Sequence, residues 1–182
     1  MLVEIKSPDF DVDIDIAYAT NNNFTGAPVY KRPACYLHPA AAAAQARACE
    51  LAAQLGYRFC VFDAYRPAEA QWALWRHTAD PDFIAIPWRG SPHSRGVAID
   101  LTLVDGEGQH LEMGTGFDEF TLLSHHGNTE ISVQAQKNRH LLMGIMTTAG
   151  WDFFRNEWWH YQLFDARQYP VLKDADAGTE MM

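Results

Sequence analysis

Apolar residues recur along this chain with two different periods. From residue 40, Ala44, Ala48, Leu51, Ala52 and Leu55 fall three and four apart, and Gly56 follows as a stop. The alanine run at 40–44 therefore opens an amphipathic helix. The same spacing over 132–149 puts Leu141, Leu142, Ile145, Met146 and Ala149 on one side of a second helix, which Gly150 ends. Strict alternation marks "VDIDIAY" (12–18) and "VAIDLTLV" (97–104) as strands, and the turn "DGEG" (105–108) predicts that the latter returns as a hairpin. "RFCVFDAY" (58–65), β-branched and aromatic, predicts a buried strand ending at Arg66-Pro67, with a further helix from Pro67. Residues 79–92 contain Pro81, Pro87, Gly90 and Pro92 and read as a loop, and "EWWHYQL" (157–163) as the last strand. Helices placed early and between strands that can pair antiparallel predict an α+β fold: a central, mainly antiparallel sheet with flanking helices.

Neither an internal repeat nor a Gly/Pro/Ser-rich linker divides the 182 residues, so one domain over 1–182 is expected. Composition, 48% hydrophobic and 20% charged, is that of a globular chain with a real core. The formal charge of −9 argues against nucleic acid as the main partner, because phosphate binding needs a basic surface. The N-terminal "MLVEIKSPDFDVDIDI" has no basic region followed by an apolar run, and no stretch approaches the roughly 18 apolar residues of a membrane span. A cytoplasmic, membrane-free protein is the expectation. Cys35, Cys49 and Cys60 are odd in number and form no C-x-x-C pair, so three reduced thiols are expected.

Chemistry enters with the eight histidines, of which most must be surface or structural residues. His93 stands before a tight Ser-Arg-Gly turn, where Gly96 supplies backbone freedom. Asp100 interrupts the apolar strand "VAIDL", where a carboxylate is costly unless it is paired or bound to metal. An ion pair with Arg95 or Arg66 satisfies it equally well. In "EWWHY", His160 follows Glu157 by three residues, and i and i+3 of a regular strand face opposite ways. Both can serve one site only if Glu157 lies at a bent entrance to the strand; otherwise Glu157 is a solvated charge beside an aromatic core strand. Taken together, His93, Asp100 and His160 make three N/O ligands with a fourth position open, as in catalytic zinc. Glu157 is then the candidate general base, and Arg66, at the end of a buried strand, the candidate cation for a developing oxyanion. Arg66 has an alternative partner in Asp63.

"SPHSRGVAIDLTL", "EWWHY", "DAYRP" and "YATNNNFTG" together resemble the D-alanyl-D-alanine dipeptidases, zinc peptidases known from vancomycin resistance and related to D,D-carboxypeptidases and the hedgehog signalling domain. The resemblance runs from about residue 12 to residue 164, and the S-x-H-S-R-G-x-A-I-D and E-W-W-H-Y pair, in this order, is highly specific. It implies a hedgehog/D,D-peptidase-like fold, with one zinc ion per chain on His93, Asp100 and His160. Glu157 is implied as the base, and Arg66 as the residue that stabilises the transition state. It also implies substrate contacts: Tyr18 and Asp118 at the free ammonium, and Ser91 near the carboxylate. Tyr18 as strand packing and Asp118 as a helix N-cap are the structural alternatives. The implied activity is hydrolysis of the small dipeptide D-Ala-D-Ala. A D,D-carboxypeptidase acting on peptidoglycan stem peptides and a non-catalytic zinc-stabilised binding module are the competing classes. The stretch between Arg66-Pro67 and Ser91 is shorter than in some family members, which bears on the pocket wall. His125 and His126 are read as structural or as supporting residues rather than ligands.

Overall fold

The computed structural model describes residues 1–182. The chain runs through β1 (Val3–Glu4), β2 (Val12–Ile14), a 3-10 turn at Ala17–Ala19, β3 (Tyr36–Leu37), α1 (Pro39–Gln54) and β4 (Arg58–Asp63). It continues through α2 (Ala68–His77), β5 (Ala98–Val104), α3 (Val133–Ala149), β6 (Asp152–Phe153), β7 (His160–Gln162) and the one-turn helix α4 (Asp174–Ala177). Five strands form the central sheet in the order β2-β4-β5-β7-β6, in which only the β2–β4 pair is parallel. β1 and β3 make a separate two-stranded ribbon. The fold is α+β with a mainly antiparallel sheet and flanking helices, as the periodicity predicts.

The two long helices stop where their end groups dictate. At the start of α1 the His38 imidazole accepts from the Ala40 N–H at 3.2 Å. At the start of α3 the Ser132 hydroxyl accepts from the Ala135 N–H at 3.0 Å, which satisfies one of the free amides there. Gly150 closes α3 in a left-handed conformation, φ 103°, which only glycine adopts without strain. α1 buries the alanines at 41, 44, 48 and 52, so its backbone can pack closely on α3, which buries Leu142, Ile145 and Met146.

Alternation divides the sheet residues between two faces. Phe59, Val61, Ile99, Leu101, Leu103 and Tyr161 join the main apolar core. On the other face, the register aligns Asp63 of β4 with Asp100 of β5, and Asp100 with His160 of β7. Three polar side chains thus form one row across three strands, and all three are buried. A register shift between Val61 and Asp63 brings the first of them into that row.

Several expected boundaries shift. The alternation over 12–18 yields strand only to Ile14; Ile14 itself is exposed because β2 is an edge, and Tyr18 sits in the 3-10 turn. β4 stops at Asp63, after which Tyr65 N–H bonds to Tyr36 O and Arg66 N–H to His93 O. The turn at 105–108 does reverse the chain, but the return makes a single bridge, Val104 to His110, rather than a strand. β7 pairs with the far end of the same edge, Ala98–Asp100. The last strand is confined to His160–Gln162, and the segment before it is a turn.

Candidate active site

His93 stands in a 3-10 turn, His93–Arg95, that Gly96 ends in the left-handed conformation, φ 68°. A Cβ at Gly96 would lie 2.9 Å from Leu2 and 3.2 Å from the His38 backbone, so the turn needs glycine for both space and conformation. The turn delivers His93 to the row on the sheet. Its Nε2 lies 3.0 Å from Nδ1 of His160 and 3.3 Å from Oδ2 of Asp100, while His160 Nδ1 lies 3.0 Å from Oδ1 of Asp100.

The outer nitrogens decide what the inner ones can do. His93 Nδ1 is 2.6 Å from the Ala64 carbonyl, which can only accept, so this nitrogen carries the proton and Nε2 presents a lone pair. His160 Nε2 faces the Gln162 side-chain oxygen at 3.2 Å, and with the amide turned this way Nε2 carries the proton and Nδ1 is bare. Two lone pairs and a carboxylate thus converge on one point with nothing between them to donate. Donors about 2.0–2.1 Å from a tetrahedral ion stand about 3.3 Å apart, which this cluster matches. The three residues fit a divalent cation, and they form the group of potential metal ligands in the molecule. Ala64 and Gln162 orient the imidazoles as supporting acceptors usually do around a metal.

Arg66 is anchored on the same side. Its Nε donates to Asp63 at 2.8 Å, its Nη1 donates to the Gln71 side-chain oxygen at 3.0 Å, and its Nη2 lies 3.6 Å from Asp100. The guanidinium also stands 5.0 Å from the Tyr18 ring centroid. Both ion-pair alternatives for Arg66 are therefore realised, and they hold the side chain at the cluster rather than withdraw it. Arg95 is not a partner of Asp100; it bonds the Tyr169 and Arg89 carbonyls.

Glu157 lies in the turn before β7, at the bent entrance that the i, i+3 spacing demanded. One carboxylate oxygen is 3.9 Å from His160 Nδ1, beside the cluster and outside its inner ring of donors. Burial drives its pKa well above the usual carboxylate range, and the charges of Asp100 and Asp118 push it further up. Asp118, in a left-handed turn at φ 58°, caps no helix. Burial, followed by Asp100, raises it to about 8, with Arg66 acting in the opposite sense, and its Oδ2 is buried without a partner. Burial also pushes Asp100 up; positive charge at His93 and His160, or a cation seated between them, outweighs it and holds that carboxylate well below its ordinary value. Ser91 is buried, and its hydroxyl oxygen accepts from the His93 N–H at 3.2 Å, which leaves its own proton free to donate.

All eight residues singled out from the sequence, Tyr18, Arg66, Ser91, His93, Asp100, Asp118, Glu157 and His160, line one cavity of about 420 Å³. Phe83, Ile84, Ile86, Phe120 and Phe154 give it apolar lining, and Arg89 and Arg167 also reach it.

A family model described as D-Ala-D-Ala dipeptidase, peptidase M15, matches residues 2–175. The chain belongs to this peptidase family. It is 43% identical to the D-alanyl-D-alanine dipeptidase of Escherichia coli (strain K12), over 90% of this chain and 85% of that protein. Against the enzyme of the same name from Enterococcus faecium it is 38% identical over 86% and 87% of the two chains. The Streptomyces coelicolor relative, again so named, is 34% identical over 82% and 84%.

Sequence reasoning missed two side chains beside the cluster, Gln71 and Gln162, and gave Asp63 only as a competing partner of Arg66. Gln162 lies two residues from His160 on a strand, so period two alone assigns it to the same face. Gln71 carries no such signal, because the turn at Arg66-Pro67 intervenes. His125 and His126 stay out of the cavity; His126 packs on Phe153 and Tyr161 instead.

Proposed function

We propose that this protein hydrolyses D-Ala-D-Ala to two D-alanines, with one zinc ion held by His93, Asp100 and His160. The observation that carries the reading is the convergence of three donor lone pairs, each 3.0–3.3 Å from the next, with a buried Glu and a buried Arg beside them. Two imidazoles, one carboxylate and an open position suit zinc. When bound, the ion supplies Lewis-acid polarisation of the scissile carbonyl and acidifies the attacking water.

The protein's own groups divide the remaining work. Glu157 takes a proton from the attacking water and passes it to the leaving amine. Its raised proton affinity suits the second step, and a cation in the cluster favours the ionised form needed for the first. Arg66, with two of its nitrogens held, keeps a permanent charge where the tetrahedral oxyanion develops. Asp118 and Tyr18 receive the substrate ammonium. A carboxylate with an unpartnered oxygen and a pKa of about 8 gains most from an incoming cation, because ammonium binding stabilises its ionised form. Ser91 donates to the substrate carboxylate. A dipeptide places both its charges against these groups, whereas a longer peptide carries a neutral amide in place of the ammonium and leaves Asp118 uncompensated.

The test is release of free D-alanine from D-Ala-D-Ala by purified protein, with and without chelator, alongside elemental analysis. Turnover that chelator abolishes and zinc restores is expected, and Glu157→Gln should retain the metal while losing on the order of 10³-fold in kcat. Release from stem-length peptides at an equal rate would make the protein a carboxypeptidase instead; zinc without turnover on either would make it a binding module.

A further inference from the structure

On α2, one turn beyond Arg66, Gln71 is 1% exposed. Its side-chain oxygen accepts from Arg66 Nη1 at 3.0 Å, and its amide nitrogen donates to the Ala85 carbonyl at 2.7 Å. Both ends are chemically determined: a guanidinium can only donate and a carbonyl can only accept, so the amide has one workable orientation. Ala85 lies between Ile84 and Ile86, and all three line the cavity wall. One buried side chain therefore joins the cation beside the metal-ligand cluster to the wall that encloses the substrate.

We infer that Gln71 is a positioning residue, which holds Arg66 in its working pose and ties that pose to the wall at Ala85. Asp63 restrains the guanidinium at Nε alone, about which the plane can still swing. A second bond at Nη1 removes that freedom and leaves Nη2 as the nitrogen turned toward Asp100 and the reaction centre. Acting on Arg66 means acting on the transition state, so losing Gln71 affects turnover more than ground-state binding. The other half of the bridge acts on the wall and therefore on substrate retention. This inference rests on the reading of Arg66 given above, and the two are separable by experiment.

Four proteins decide it: wild type, Gln71→Leu, Arg66→Ala and the double variant, each with zinc content and thermal midpoint measured beside kcat and KM for D-Ala-D-Ala. Gln71→Leu is expected to lower kcat by about 10- to 100-fold, the scale of a misplaced catalytic group, with a smaller rise in KM that matches Gln71→Glu, because both variants lose the bond to Ala85. In the Arg66→Ala background the same change should cost less than about 2-fold, because its target is gone. A purely structural glutamine would give an equal loss in both backgrounds, and that additivity overturns the proposal. So does an unchanged kcat in Gln71→Leu. If Arg66→Ala itself leaves kcat intact, the catalytic reading of Arg66 fails instead. Gln71→Glu covers the case in which the leucine variant does not fold: it still accepts from Arg66 but cannot donate to Ala85. It should keep kcat within about 3-fold and raise KM, whereas a kcat loss on the order of 10-fold or more in this variant would overturn the bridge.

Discussion

Asp100 and Leu101 are neighbours on β5, and both are almost completely buried, yet they point to opposite faces of the sheet and do opposite jobs. Leu101 faces the apolar core with Ile99 and Leu103. There each contact resembles its neighbours and the stabilisation is shared among many side chains. Asp100 faces a layer in which His93, His160, Arg66, Asp63 and Glu157 are also buried. On that side every group needs a particular partner, and the lone pairs at the centre need a cation. Degree of burial does not distinguish core from site in this protein. What separates them is whether the buried groups satisfy one another.

The largest expected effect falls on the polar face. Asp100→Ala removes one of three proposed ligands, so zinc per chain should fall from about one toward zero and turnover should vanish with it. Elemental analysis and the dipeptide assay read both, and full metal retention would break the contrast between the faces. Leu101→Ala should do the reverse. It creates a cavity in the apolar layer and should cost about 2–5 kcal/mol in denaturant unfolding. Turnover per folded, zinc-loaded molecule should stay within about 3-fold of wild type.

A smaller effect sharpens the comparison, because the apolar side holds a polar group of its own. His126 packs against Phe153 and Tyr161 with its Nε2 buried and unpartnered. Burial, then the charges of Arg139 and His140, lowers its pKa to about 4. The folded protein thus resists a proton that the unfolded chain accepts near pH 6.5. The associated stability is present in full above pH 6.5 and is lost as pH falls from there toward 4, up to about 3 kcal/mol. Urea unfolding at pH 7 and pH 4.5 should show that loss, and His126→Phe should reduce its slope. An unchanged slope would mean that the acid sensitivity originates on the polar face.

Much of this division is legible in the sequence alone. Strict period two in "VAIDLTLV" places Asp100 and Leu101 on opposite faces, and the spacing over 132–149 marks the face of α3 that reaches the core. Local patterns failed where a neighbour in space decided the outcome. "VDIDIAY" alternates throughout but pairs along only three residues, because the chain then bends into the 3-10 turn at Ala17–Ala19. The predicted hairpin return after 105–108 makes one bridge at His110 and then leaves the sheet, and the rest of that edge pairs with β7, which arrives from 50 residues further on.

The eight site residues and the α+β class follow from residue types, spacings and family-specific motifs, since hydrophobic period and motif chemistry are properties of the chain itself. Which nitrogen of each histidine faces the centre was decided only by the fold. For His93 it depends on a carbonyl at Ala64 that no spacing rule ties to it, and for His160 on the orientation of an amide at Gln162 that period two places only on the same face. The same holds for the double anchoring of Arg66 by Asp63 and Gln71, and for the unpartnered oxygen of Asp118. Hydrogen bonds are short and directional, so they are settled by where distant segments come to rest, whereas burying an apolar face requires only that the face exist.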